Sequence, residues 1–247
     1  MKSALKRIMN IDMKRILNSD LNSNGIYIEF DETDILKAKA LIIGPKDTLY
    51  DNAYLFFTIE FPKNYPFSPP TLTYKSQNKI RIHPNIYVSG KVCLSILGTW
   101  SGPSWTHTMD ITIVLLTIQS LLDNNPLANE PGYANNANNA NNANNANNAN
   151  NANNANNNLI YENYNKIIRY NTIDSLIIDR INTDFMDFDI FKKIMIEYLK
   201  NNIKNINDTI ETNINVKENI KIGIYKIDTL IDYEYLKFKW QKFNGKN

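Results

Sequence analysis

Residues 83–105 read HPNIYVSGKVCLSILGTWSGPSW and contain the single cysteine of the chain, Cys93. A lone thiol is either packing material or a nucleophile, and its neighbours argue for the second. The turn-forming triplet His83-Pro84-Asn85 lies eight to ten residues upstream, Gly90 relaxes the backbone just before the cysteine, and Gly98, Gly102 and Pro103 follow it. Such residues build a surface loop on a scaffold, where reactive groups concentrate. Cys93 is therefore expected on a loop reachable from solvent, not in a core strand.

Upstream of the loop, four extended segments are predicted at 26–30, 36–43, 53–61 and 71–74. Turn signals separate them at Asn24-Gly25, 31–34, Gly44-Pro45 and 63–70. Their β-branched and aromatic content and short connections predict an antiparallel meander. The run Tyr65-Pro66-Phe67-Ser68-Pro69-Pro70 breaks regular structure, and Pro69-Pro70 is a candidate cis bond. Ahead of the strands, Leu5, Ile8, Met9, Met13, Ile16 and Leu17 recur at helical spacing, with Lys6, Arg7, Lys14 and Arg15 largely off that stripe. A helix there would cover one face of the sheet and give an α+β domain. Its basic side chains are either a solvated face or a docking surface for an acidic partner.

Downstream, Ile111, Val114, Leu115, Ile118, Leu121 and Leu122 trace an apolar helical stripe, with Thr108 or Asp110 as N-cap. This central helix should end by Asn124-Asn125-Pro126. Residues 134–157 are eight successive Ala-Asn-Asn triplets, a period that builds neither an amphipathic helix nor a two-sided strand, so the tract is expected to be a disordered insert. Beyond it, Tyr164, Ile167, Ile168, Leu176 and Ile177 predict one or two helices. Phe188, Phe191, Ile194, Met195, Tyr198 and Leu199 predict another, and Leu230, Tyr233, Leu236, Trp240 and Phe243 a last one. Residues 201–221 show no single apolar face and read as a loose connection.

Composition sets the outer bounds. A chain of 247 residues, 43% hydrophobic, buries a proper core. Its net charge of +2 is too even to make nucleic acid the main partner. One cysteine leaves no intrachain disulfide, which suits a reducing compartment. The most apolar run, 111–122, is interrupted by Thr112, Thr117, Gln119 and Ser120, so no secretion signal or membrane span is expected. The basic amphipathic N-terminus also resembles a mitochondrial presequence, an alternative to the cytoplasmic and nuclear location otherwise expected.

Taken together, the basic helix, the meander, Tyr65 to Pro70, His83-Pro84-Asn85, Cys93-Leu94 eight residues beyond the asparagine, then a tryptophan and a hydrophobic helix resemble the ubiquitin-conjugating enzymes. Within that family CLSILGTWSGPSW (93–105) and Asn129-Glu130-Pro131-Gly132-Tyr133 are most similar to the Z-type members, and 162–181 reads like the helix that follows their catalytic domain. The resemblance implies a UBC-like α+β fold with a catalytic core at 1–133. The triplet insert would occupy 134–158, and a helical extension packed on the core would occupy 159–247.

It further implies that Cys93 takes ubiquitin, or a ubiquitin-like modifier, from an activating enzyme as a thioester and passes it to a lysine of a protein substrate, usually with a ligase. Sulfur suits a carrier that must accept an acyl group and release it again. The family role of Asn85 is to support the thioester loop and to donate its amide to the oxyanion formed on lysine attack; loss of such a donor costs about 3–4 kcal/mol. The residue-level reading is a turn-forming Asx residue, and both roles can hold. His83 and Pro84 are expected to be structural supports. A cysteine-protease reading would need His107 beside Cys93 with an orienting Asn or Asp.

Departures from the family pattern bear on chemistry. Many members carry Asp two residues after the cysteine, where this chain has Ser95, and Asp before the Pro-Leu that follows the long helix, where it has Asn125. Neither replacement is a carboxylate, which leaves Asp123 as the nearby candidate to help deprotonate a lysine. Lys6 and Arg7 are expected at the activating-enzyme surface, and Phe67 and His107 at the ligase surface. No metal and no cofactor are implied. The competing class is a non-catalytic adapter that binds ubiquitin or a ligase with the same fold.

Overall fold

The strand signals become a four-stranded antiparallel sheet in the order β1 (Ile26–Phe30), β2 (Lys37–Ile43), β3 (Tyr54–Glu60), β4 (Thr71–Tyr74). The structure, a computed structural model, describes residues 2–133, 151–183 and 186–244. Register pairs Leu41 with Phe56 and Ile43 with Tyr54, and because side chains alternate across a strand, these four share one face. β2 and β3 are buried on both faces over most of their length, so the sheet has cover on each side.

At the N-terminus, α1 (Lys2–Arg7) passes through a π-type turn (Ile8–Asp12) into α2 (Met13–Leu17). The buried row is Ala4, Ile8 and Asp12, whereas Met9 is 56% and Leu17 82% exposed. The π turn shifts the register by part of a residue per turn, which rotates Met9 and Leu17 off the face that a regular 3.6 period assigns to them. Asp12 is a buried carboxylate inside that row. It pairs with Arg7 (Nε to Oδ1, 2.9 Å), and burial pushes its pKa above the ordinary value against the pull of the Tyr65 hydroxyl and the guanidinium.

The central helix, α3 (Ile111–Ser120), is capped by Asp110, whose carboxylate accepts from Ile113 N–H at 3.2 Å. Arg15 holds the other oxygen of the cap at 2.6 Å, tying the N-terminal helix to the start of α3. Ile111, Val114, Leu115, Ile118 and Leu122 enter the core as their spacing predicts. The cis peptide is Tyr65–Pro66, not Pro69–Pro70.

The C-terminal region is only partly helical. α4 (Asn151–Asn171) continues as a π-type segment (Thr172–Asp179) and a short α5 (Arg180–Asn182), followed by α6 (Lys192–Thr212). The triplet tract expected at 134–158 lies outside the described residues as far as 150. Its last units belong to α4, where an anchored helix propagates at little cost even through Asn. Residues 201–221 are not a loose connection. α6 runs on to Thr212 because Leu199, Ile203, Ile206 and Ile210 keep a helical stripe, with the Asn, Lys and Thr residues between them on the solvent side. β5 (Lys217–Ile222) and β6 (Ile227–Asp232) then form a hairpin, which places Leu230 in a strand, before α7 (Tyr233–Asn244) closes the chain.

This region covers the face carrying Tyr54 and Phe56. Phe188 stacks on Phe56 at 4.5 Å, Phe191 lies 6.4 Å from the same ring, and the Tyr54 hydroxyl donates to Met195 O at 2.9 Å. Arg180, 1% exposed, lies over Phe56 and donates to Tyr54 O (3.1 Å) and Lys75 O (2.8 Å). Its charge is thus met by backbone carbonyls, and burial pulls its pKa down. Among the described residues no helix is long and apolar enough to cross a membrane.

Candidate active site

His83, Pro84, Asn85, Cys93 and Ser95 come together at the end of β4. Gly90 N–H and Tyr87 O close a turn between the asparagine and the cysteine, so the segment folds back on itself. Gly90 has φ +93°, and a Cβ there would lie 2.9 Å from Tyr74 O, so this turn needs glycine. The fold-back sets Asn85 against Cys93: Cys93 N–H donates to Asn85 O at 2.8 Å, and Asn85 Nδ2 donates to Cys93 O at 2.8 Å.

Every carbonyl from 81 to 85 is claimed by a donor. Tyr164 OH donates to Arg81 O (2.6 Å), Tyr50 OH to Ile82 O (2.6 Å) and Ile86 N–H to His83 O (3.0 Å). The Arg81 guanidinium donates to Pro84 O, and Cys93 N–H to Asn85 O. A loop whose acceptors are all engaged holds one backbone path. Neither tyrosine was legible as a site residue, since Tyr50 comes from the β2–β3 connection and Tyr164 from α4.

His83 is fully buried, with Nδ1 accepting from Asn85 N–H at 3.0 Å. The ring is therefore neutral with its proton on Nε2, and burial, helped by the Arg81 charge, pushes its pKa down to about 3. A support role is what this geometry allows. Thr99, overlooked in the sequence, brackets Cys93: its Oγ1 accepts from Leu94 N–H at 2.9 Å and donates to Val92 O at 2.8 Å.

The expectation of a solvent-reachable thiol does not hold. Cys93 is 1% exposed, between buried Val92 and Leu94 and near buried Ile86. Turn residues set the path of this loop, but apolar side chains in it turn inward and take the cysteine with them. Asn85 lies alongside, as expected.

Ser95 opens a one-turn helix (Ser95–Leu97), and its Cβ closely faces Gly102. Asp123 is exposed and accepts from Asn125 N–H at 2.8 Å, so it caps its own loop. The other four named positions form a second locus. Phe67, 72% exposed, lies 6.2 Å from the exposed His107 ring, and His107 O accepts from Arg7 at 3.4 Å. Lys6 is exposed on the same helix. Arg7 is not a free docking charge as expected: it is engaged by Asp12 and by Met109 O (3.0 Å), because a buried carboxylate demands a counter-ion. The position of His107 beside Phe67 removes the partner that a cysteine-protease reading requires.

The fold and this loop define the class. Residues 9–157 match the family model described as ubiquitin-conjugating enzyme, and the chain belongs to that family. It is similar to ubiquitin-conjugating enzyme E2 Z of Homo sapiens, 38% identical over 157 residues that cover 63% of this chain and 39% of that protein. The E2 Z of Danio rerio is 36% identical over 159 residues, 64% of this chain and 43% of the relative. The chain thus spans about two fifths of the length of these curated relatives. Among solved structures, the E2 domain of a Toxoplasma gondii ubiquitin conjugating enzyme matches with TM-score 0.39 and 28% identity, over 49% of this chain and 80% of that one.

Proposed function

We propose that this protein is an acyl carrier that accepts the C-terminus of ubiquitin, or of a ubiquitin-like modifier, as a thioester on Cys93 and transfers it to a lysine of a protein substrate, usually with a ligase. The observation that carries this reading is the doubly hydrogen-bonded pair of Asn85 and Cys93 on a loop with one backbone path. In the transfer step the lysine amine attacks the thioester carbonyl, the oxyanion collapses, and the Cys93 thiolate leaves. Asn85 is the amide that would meet that oxyanion, and Asp123 is the candidate carboxylate to help deprotonate the lysine, with a ligase or solvent as the other source of help. An activating enzyme delivers the modifier, docking on the N-terminal helix through Lys6, and Phe67 with His107 presents the ligase-facing patch. The cytoplasm, with the nucleus as a second compartment, is the proposed location.

The competing reading, which the family match does not favour, is a non-catalytic adapter for ubiquitin or a ligase, with a buried Cys93 thiol that stays unreactive. One assay separates the two. Incubation with activating enzyme, ATP and ubiquitin should give a reductant-sensitive adduct that Cys93→Ser abolishes or converts to a reductant-resistant ester. Ubiquitin binding without any such adduct, across a panel of modifiers and activating enzymes, is the adapter outcome.

A further inference from the structure

We propose that Tyr225, in the turn of the C-terminal hairpin, is a positioning residue for the Asn85–Cys93 site, acting through Arg81. The proposal rests on the carrier reading for its kinetic consequence, but its structural content stands apart from it. The Arg81 guanidinium lies over two phenol rings, 3.6 Å from the Tyr87 centroid and 4.5 Å from that of Tyr225. From that position it donates to Pro84 O, the carbonyl directly before Asn85. Among the described residues Arg81 forms no ion pair with a carboxylate, so the stacked rings fix the plane of its fork.

Tyr225 is itself held from two sides. Its hydroxyl donates to Glu130 Oε2 at 2.6 Å, and its ring meets Tyr164 at 5.6 Å. Tyr164 in turn donates to Arg81 O. Two segments far beyond the cysteine in sequence therefore hold Arg81, Tyr164 of α4 at its backbone carbonyl and Tyr225 of the hairpin turn at its side chain. If Tyr225 is truncated, Arg81 loses one wall, its fork can leave Pro84 O, and the turn carrying Asn85 gains freedom that also uncovers Cys93.

Because Cys93 is the only thiol and is buried, its alkylation by iodoacetamide reports opening of the turn without any enzymatic step. In the full chain, Tyr225→Ala should raise the alkylation rate about tenfold, the scale of one desolvated cation–π contact. Arg81→Met, which keeps an apolar chain against the rings but has no donor for Pro84 O, should do the same. Tyr225→Phe keeps the wall and loses only the Glu130 hydrogen bond, so it should stay near the wild-type rate. In a charged sample, Tyr225→Ala should load ubiquitin normally and discharge it to free lysine more slowly, with Tyr225→Phe restoring the rate. Alkylation of Tyr225→Ala and Arg81→Met at the wild-type rate overturns the proposal, as does a rate that rises for Tyr225→Ala only with a collapse of its melting temperature while Arg81→Met stays protected. Wild-type discharge from a Tyr225→Ala protein with a loosened turn overturns the kinetic half. A wild type that never charges refutes the carrier reading instead, and the alkylation comparison still decides the brace.

Discussion

Asn85 and Cys93 are hydrogen-bonded to each other twice, once from the Cys93 N–H to the Asn85 carbonyl and once from the Asn85 amide to the Cys93 carbonyl, each at 2.8 Å. The asparagine amide is therefore occupied by the loop it supports while the site is at rest. In the proposed reaction the same N–H group would turn from that carbonyl to the oxyanion, so one side chain serves structure and chemistry in succession. The exchange costs little, because one acceptor replaces another.

Asn85→Ala removes the amide and leaves a buried Cys93 carbonyl without its donor. The expected loss is about 1–3 kcal/mol of folding stability, read from the denaturant midpoint. Discharge of a preformed thioester to lysine should fall by about a hundredfold or more, the range for losing one oxyanion donor. A variant with unchanged stability would show that the Asn85 side-chain bond contributes nothing to holding the loop.

His83 makes the fold sensitive to acid. Its folded pKa of about 3 lies below the ordinary 6.5, so the unfolded chain binds the extra proton and the neutral ring's stability is lost as pH falls from about 6.5 toward 3. Between pH 7 and pH 5 this one group should cost ~2 kcal/mol, given 1.36 kcal/mol per pK unit. Urea titrations of wild type and His83→Gln at both pH values measure it. Equal pH slopes for the two proteins would contradict the buried neutral ring.

Arg7 and Lys6 are neighbours with opposite expectations. Arg7→Ala strands the Asp12 carboxylate in the core and should cost about 3–5 kcal/mol, visible as a large drop in melting temperature. Lys6→Glu sits in solvent and should leave the melt unchanged while slowing charging by the activating enzyme, more so at low salt. If Lys6→Glu charges at the wild-type rate in low salt, Lys6 is only solvated surface.

Much of the fold was legible because local signals and tertiary need agreed. The strands at 26–30 and 71–74 match their predicted limits, and α3 buries Ile111, Val114, Leu115 and Ile118 of its predicted stripe. Disagreement arose where one won over the other. A regular period could not anticipate the π turn that exposes Met9 and Leu17, and an Asn- and Lys-rich surface hid Ile203, Ile206 and Ile210, which carry the second half of α6. The strand sequence KENIKI alternates, but its polar half is long and charged, and the hairpin it begins was lost in the same polar stretch. At the site, most residues close in sequence to Cys93 were found, Thr99 excepted, and the distant ones were not. Tyr50, Tyr164 and Tyr225 act through hydroxyls or ring faces on partners 32 to 144 positions away, and no spacing rule reaches that far.

The cover over Tyr54 and Phe56 bears on how the chain can be divided. All the proposed reacting groups lie before residue 134, yet a fragment cut there would present a wide aromatic sheet face to water and lose two of the tyrosines that hold the reactive turn. Such a piece would be prone to self-association. The last hundred residues are thus as much a part of the scaffold of the Asn85–Cys93 turn as the strands beside it.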